Sequence, residues 1–360
     1  MSTIYIRTLK RAEHTVFCVS DGQKFYRDSQ FDNRMVPFSS GQQIKRSVME
    51  SLSMALNEVP SPITFYTNVK KSAKTKNLEF DGEGVAFGTC DPTNSDQLLG
   101  GWMKALKGGD SKVIKRRSPL SISAMRGLHP LLAGIEVETG TFDRKDRGNN
   151  IVVVKDESGR VLTEDELVEF LDNRESQVSL TSKYLKPQRR ATGLFVQDMA
   201  IDMRRLFCVS LNKLEPEITE ETEAKLREEG WKETQTVFGT CLVAPKPVRE
   251  KLIPALAHAI VNWTITSNQA RTFSLMETLA ISVSDNANRI AGSIRAKLKE
   301  EYENRAEPII EEDMKGVETF VSLAASGYIR TKKESVDAMD NAQQALINQM
   351  MAFDYENQLN

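Results

Sequence analysis

The stretch Ser39-Ser40-Gly41-Gln42-Gln43-Ile44-Lys45-Arg46-Ser47-Val48 puts a small polar cap ahead of an apolar-periodic run, with a Lys-Arg pair in the first turns. Free amides and the positive end of the dipole at such a helix start attract an anion, and Gly41 lets a ligand chain approach with no Cβ in the way. Just upstream, Tyr26-Arg27-Asp28-Ser29-Gln30-Phe31-Asp32-Asn33-Arg34 mixes two aromatics with two arginines in a polar loop. Guanidinium groups hold phosphates and rings stack on bases, so loop and helix start together suit a single strand of RNA. The same residues would equally serve a capped amphipathic helix after a surface loop, with Arg27 and Arg34 paired to Asp28 and Asp32.

Composition bounds what can surround these residues. A chain of 360 residues, 40% hydrophobic and 27% charged, is globular and long enough for two domains or one elaborated domain. Its formal net charge of −2 requires any basic surface to be local. Residues 101–150 carry ten Lys and Arg against five Asp and Glu, whereas 215–233 and 300–313 are acidic. Cys18, Cys90, Cys208 and Cys241 are far apart and read as reduced, mostly buried thiols of a cytoplasmic protein. His14, His129 and His258 are equally isolated, so neither a metal nor another cofactor is expected. With no apolar leader and no long uncharged run, the chain is expected neither to be exported nor to enter a membrane.

The elements that must position the loop and helix read as α+β. Alternation predicts strands at Thr3 to Thr8 and Glu13 to Ser20, then a helix from about Ser40 to Leu56. Pro60 to Lys76 reads as irregular, Asp96 to Leu106 as a helix, and the stretch from Ser118 to His129-Pro130 as strand-like. Asn150 to Leu162 is a hairpin candidate, followed by a capping box at Thr163 and Glu166 that opens a helix to about Leu171. Gly193 to Asp202 and Leu206 to Leu211 read as a strand pair, Glu217 to Glu229 and Pro247 to Ile260 as helices, and residues from Asp285 onward as largely helical.

Four stretches in order carry a family resemblance: VPFSSGQQIKRSV (36–48), DQLLGGWM with KRRSPLSISAMRGLHPL (96–103 and 115–131), GLFVQDMAIDMRRLFC (193–208) and SNQARTF (267–273). With them the chain resembles the backbone subunit of CRISPR Cascade-type effector complexes, in the repeat-associated mysterious protein superfamily and nearest its DevR-like, type I branch. The resemblance implies an RNA-recognition-like (ferredoxin-like) β-α-β-β-α-β core with thumb and finger insertions and a helical C-terminal region. In those terms residues 1–60 begin the core, 61–140 hold a finger-like insertion and core strands, 141–192 a thumb, 193–284 the rest of the core and 285–360 the helical region.

The resemblance further implies copies lined head to tail on one crRNA, beside other Cascade subunits, with target DNA recognised by guide pairing in an antiviral ribonucleoprotein. Such a subunit tracks phosphates and leaves sequence to base pairing. Carried over by position, the guide contacts are Gln42, Lys45 and Arg46 at the helix start, with Arg27 and Arg34 before it. Asn268, Gln269 and Arg271 match the later polar loop, where the two amides could instead stabilise the loop itself. Arg126, Arg116 and Arg117 are further groove candidates; Met125 is an apolar wedge or core, and a solvated run is the ordinary reading of Lys115-Arg116-Arg117.

Two other classes of reading remain. Relatives in type III effectors cleave target RNA through an aspartate before the first helix and a divalent metal, and Asp28 or Asp32 sits in about that place. Gln30-Phe31 and Asn33-Arg34 do not match the glycine-rich loop of those relatives, so no cleavage is expected. A nucleophilic cysteine at Cys90 or Cys241 lacks a nearby His. An assembly protein without nucleic acid is the third class.

Overall fold

In a computed structural model, which describes residues 2–18, 23–71, 78–105, 113–138, 151, 153–173, 188–267, 269–300 and 302–359, the chain begins with strand β1 (Thr3–Thr15). The two expected strands are one, because the polar middle from Thr8 to Arg11 is laddered on both sides. Its alternation places Ile4, Ile6, Thr8, Lys10 and Ala12 on one buried face. A hairpin of β2 (Phe25–Asp28) and β3 (Arg34–Ser39) leads into α1 (Gly41–Leu56), capped by Ser40 as the sequence predicts.

Next come β4 (Thr64–Lys71) and β5 (Leu78–Phe87), which correct the irregular reading of 60–76 at 64–71, while 72–76 lie outside the described residues: the two pair into a ribbon whose first strand is exposed at every residue. Helix α2 (Ser95–Gly100) stops short of the expected Leu106, since Gly101 at φ 72 turns the chain into β6 (Trp102–Ala105) and β7 (Val113–Arg116). Three short strands follow, β8 (Leu120–Ile122), β9 (Met125–Gly127) and β10 (Ala133–Glu138). Within the expected hairpin at 150–162 only a Lys155–Val161 bridge is described, closed by a turn on Asp156. The Thr163 and Glu166 box does open α3 (Glu164–Asn173). Residues 139–150 and 174–187, and with them about half of the proposed thumb and the FDRKDR cluster, lie outside the described residues.

Strand β11 (Gln188–Asp202) and β12 (Cys208–Ser210) do not pair, contrary to expectation. The turn α4 (Met203–Leu206), capped by Asp202, carries the chain out of the large sheet into a small one. There β12 joins β13 (Lys232–Thr236) and β14 (Gly239–Val243), after α5 (Glu220–Glu228). Helix α6 (Lys246–Asn262), apolar on nearly every side, is buried. The C-terminal quarter is not largely helical. Between β15 (Thr278–Ser284), α7 (Ala287–Ser293) and the final α8 (Ala338–Met351) it holds β16 (Ile294–Lys299), β17 (Tyr302–Ile310), β18 (Glu318–Ser322) and β19 (Glu334–Ser335).

The large sheet runs β19-β18-β15-β1-β11-β9-β3-β2. Strands β8, β9 and β10 lie in succession along β11, against residues 199–201, 195–196 and 188–193. Helices α1 and α6 pack on each other over the Ile4 and Ile6 face, and α8 packs on α6. Ile44, Val48, Leu52, Phe195, Leu256 and Trp263 fill that core. The opposite face is closed by a smaller cluster of Leu9, Leu194, Leu279, Ile294, Ile310 and Val321. The class is thus α+β, and no helix among the described residues is long and apolar enough to cross a membrane.

Candidate nucleic-acid interface

The β2–β3 hairpin is shaped by its own polar residues. Asp28 Oδ1 accepts from the Gln30 amide at 3.0 Å, and Asp32 and Asn33 take left-handed φ values of 49° and 53° that short polar side chains tolerate. Arg27 Nη1 donates to Asn33 O at 3.3 Å instead of pairing with Asp28, and Arg27 and Arg34 stay exposed. Phe31 meets the His129 ring edge-on at 4.7 Å and Phe25 lies 4.8 Å under the Arg189 guanidinium. Phe31 therefore holds the hairpin against the β9–β10 corner and Phe25 against the start of β11; Tyr26 is the aromatic left at the surface.

Gln23, absent from the expected set, locks the hairpin base. Its Oε1 accepts from Phe17 N at 2.7 Å, and its Nε2 donates to Phe38 O at 2.9 Å. Phe38 and Ser39 pair in turn with Arg126 and Met125 of β9. Alternation on β9 exposes Arg126 and buries Met125 completely, so Met125 is core and no wedge.

At the helix start, Ser40 Oγ accepts from Gln43 N at 3.2 Å, while Gln43 Nε2 reaches Ser267 Oγ at 3.2 Å in the loop before β15. Gln42 points to solvent. Lys45 is half-buried with Nζ on Gly100 O at 2.5 Å, and burial lowers its pKa; it holds the end of α2. Arg46 is exposed but bonded to Glu50 at 2.8 Å. Burial pushes the Glu50 carboxyl up, yet bonds from Thr266 and Arg46 leave it below the usual carboxylate range.

Gln269 is a clasp: Nε2 donates to Val16 O at 3.0 Å and Oε1 accepts from the Thr15 hydroxyl at 3.3 Å. Arg271 in the same loop is exposed, and Asn268 lies outside the described residues. Arg27, Arg34, Gln42, Arg126 and Arg271 thus hang on one hydrogen-bonded frame made by β3, β9, the α1 start and the loop. The Gln43 and Gln269 links in that frame had no signal in the sequence beyond being amides.

Arg116 is the clearest correction. It is 3% exposed, on the inward face of β7 with Ile114, and its guanidinium donates to Leu98 O, to Arg205 O at 2.7 Å and to Cys208 O at 3.1 Å. Burial drops its pKa to about 10 against the pull of Glu217, 3.9 Å away. It is a structural cation, while Arg117 beside it is exposed. Burial also raises the thiols of Cys90 and Cys241 and pushes Cys208 up to about 12, which suits inert core sulfur. Among the described residues no group of three or more His, Cys, Asp or Glu could hold a metal.

The sequence reading also missed Lys10, 2% exposed in the middle of β1, whose Nζ donates to Thr278 Oγ1 at 2.8 Å. Burial pushes its ammonium down to about 8, with Glu277 pulling the other way. The unfolded chain keeps that proton up to 10.5, so between the two values it binds more protons than the folded state. Folding stability then rises with pH across this window, by up to about 3 kcal/mol. Urea denaturation of the wild type and of Lys10→Met near both ends of the window should show the wild type gaining on the variant. A gap that does not move with pH would contradict the buried charge.

Comparison with known proteins finds no matching family model and no matching curated protein. Among solved structures, the chain is similar to a chain of a "CRISPR RNA-guided surveillance complex, pre-nicking", with 11% identity and a TM-score of 0.45 over 96% of this chain and 100% of that one. It is also similar to a chain of a "CRISPR RNA-guided surveillance complex", with 11% identity and a TM-score of 0.41 over 95% of this chain and 99% of the other.

Proposed function

We propose that this protein is a guide-RNA-binding backbone subunit of a Cascade-type CRISPR complex that multimerises along the RNA and does not cleave. The observation that carries the reading is where the four sequence stretches fall: on β3 with α1, on α2 through β9, on β11 with α4, and on the loop before β15. Three of them meet in the hydrogen-bonded frame that displays Arg27, Arg34, Gln42, Arg126 and Arg271. The strand order β15-β1-β11-β9, with α1 and α6 as the crossovers, supports an RNA-recognition-like β-α-β-β-α-β core within the larger sheet. Exposed guanidinium and amide groups suit a protein that follows phosphates. Asp28 is engaged in its own turn, which favours a structural role over metal-assisted cleavage.

The test is binding to unrelated single-stranded RNAs of increasing length, read by light scattering. Oligomer size is expected to grow in steps with RNA length, with sequence-independent affinity that falls with salt. Added Mg²⁺ and a complementary target RNA should leave both strands intact. A constant monomer or dimer at every length would overturn assembly on RNA, and regular cuts abolished by Asp32→Ala would overturn the non-cleaving part.

A further inference from the structure

We propose that Lys10 is a positioning residue for the loop that carries Arg271: its side chain ties the end of α6 to the start of β15, and so sets how residues 264–277 face an RNA backbone. The inference rests on the RNA-binding reading above. Lys10 occupies a position where the strand pattern calls for an apolar side chain, on the Ile4, Ile6 and Ala12 face under α6. Its three acceptors all belong to the two ends of one loop: Trp263 O at 3.5 Å, Met276 O at 3.5 Å and Thr278 Oγ1 at 2.8 Å. The ammonium also lies 4.7 Å from the centre of the Trp263 ring. Trp263 is the C-cap of α6, where the helix dipole favours a cation, and α6 has no basic residue of its own in its last turn.

The sheet is adapted to make this contact. Opposite Leu9 and Lys10 the β15 register skips Leu279, pairing Leu9 with Ala280 and Lys10 with Thr278. The bulge turns Leu279 and Ala280 both toward the smaller cluster, and brings Thr278 onto the Lys10 side. The Glu277 carboxylate acts on Lys10 through space and not as its hydrogen-bond partner: its Oε1 is bonded to Arg11 at 2.9 Å, on the other face of β1. The ammonium is thus committed to loop-end acceptors. Between those ends Ser267 meets Gln43, Gln269 meets Val16 and Thr272 O accepts from Thr15, which leaves Arg271 displayed at the surface.

The experiment compares Lys10→Met, of similar length without charge, and Thr278→Val, of the same shape without the hydroxyl, alone and combined with Arg271→Ala. Affinity for a fluorescein-labelled oligouridine is read by anisotropy, and folding is checked by cooperative urea unfolding. Each single variant is expected to weaken binding roughly three- to tenfold, and Arg271→Ala is expected to add little in either background, because the loop no longer places the arginine. Unchanged affinity, or losses that simply multiply, would overturn the proposal. Should Lys10→Met not fold, Thr278→Val decides alone. If the wild type binds no oligouridine, the RNA reading fails first, and amide hydrogen exchange judges the tie separately. Faster exchange confined to 264–277 in the variants supports it, and unchanged exchange refutes it.

Discussion

Arg116→Ala is expected to cost about 3–5 kcal/mol of folding stability, the range for stripping one partner from a buried charged network. The guanidinium gathers carbonyls from three separate elements: Leu98 in α2, Arg205 in α4 and Cys208 in β12. Without it those carbonyls lose a donor and the buried Glu217 carboxylate keeps Arg205, 3.5 Å away, and the Ser210 amide but loses one of its two cations, while burial raises its pKa. Lysine is not an adequate replacement, because one ammonium cannot reach acceptors that the planar fork spans. The midpoint and slope of urea unfolding measure the loss, and Arg116→Ala with Glu217→Gln should recover part of it by removing a buried carboxylate that has lost one of its two cations. A loss under about 1 kcal/mol would mean that water replaces the guanidinium at the three carbonyls.

The second large effect concerns affinity. Replacing Arg27, Arg34, Arg126 and Arg271 together by Ala should lower the steepness of log affinity against log salt by up to about 3, at roughly 0.7 per phosphate on a single strand. The loss should be similar on unrelated RNA sequences, since backbone contacts carry no base information. Lys45→Ala and Arg46→Ala should change the slope far less, because Gly100 and Glu50 already hold these side chains. A quadruple variant that folds and keeps the wild-type slope would remove the frame from any RNA path.

How far the sequence could be read is visible at these positions. Ser40 announces α1 because capping is local chemistry, and the Thr163 and Glu166 box announces α3 for the same reason. The β4 strand of the ribbon escapes the sequence pattern because it has no core to face: Phe65, Tyr66 and Val69 are exposed, so no buried alternation marks it. Lys115-Arg116-Arg117 looked like one solvated run, although period-two alternation from Ile114 already assigns Arg116 to the interior. Of the candidate contacts, exposure at Arg27, Arg34 and Arg126 followed from local pattern. The ties of Lys45 to Gly100 and of Gln269 to Val16 join residues far apart in sequence, and nothing local encodes them. The C-terminal quarter misled because charged residues spaced along β16 and β17 mimic a solvated helix.

Strand β1 pairs on one side with residues 191–202 and on the other with 278–284. A ribosome adds about 5–20 residues per second, so the first strand emerges roughly 10–40 s before either neighbour exists. During that interval Ile4, Ile6 and Leu9, all fully enclosed in the finished sheet, lack both neighbouring strands and α6, and only α1 is made early enough to lie against the Ile4 and Ile6 face. Slow codons before residue 188 are therefore expected to lower yield without altering the finished molecule, whereas truncation into β1 removes a central strand of the finished sheet.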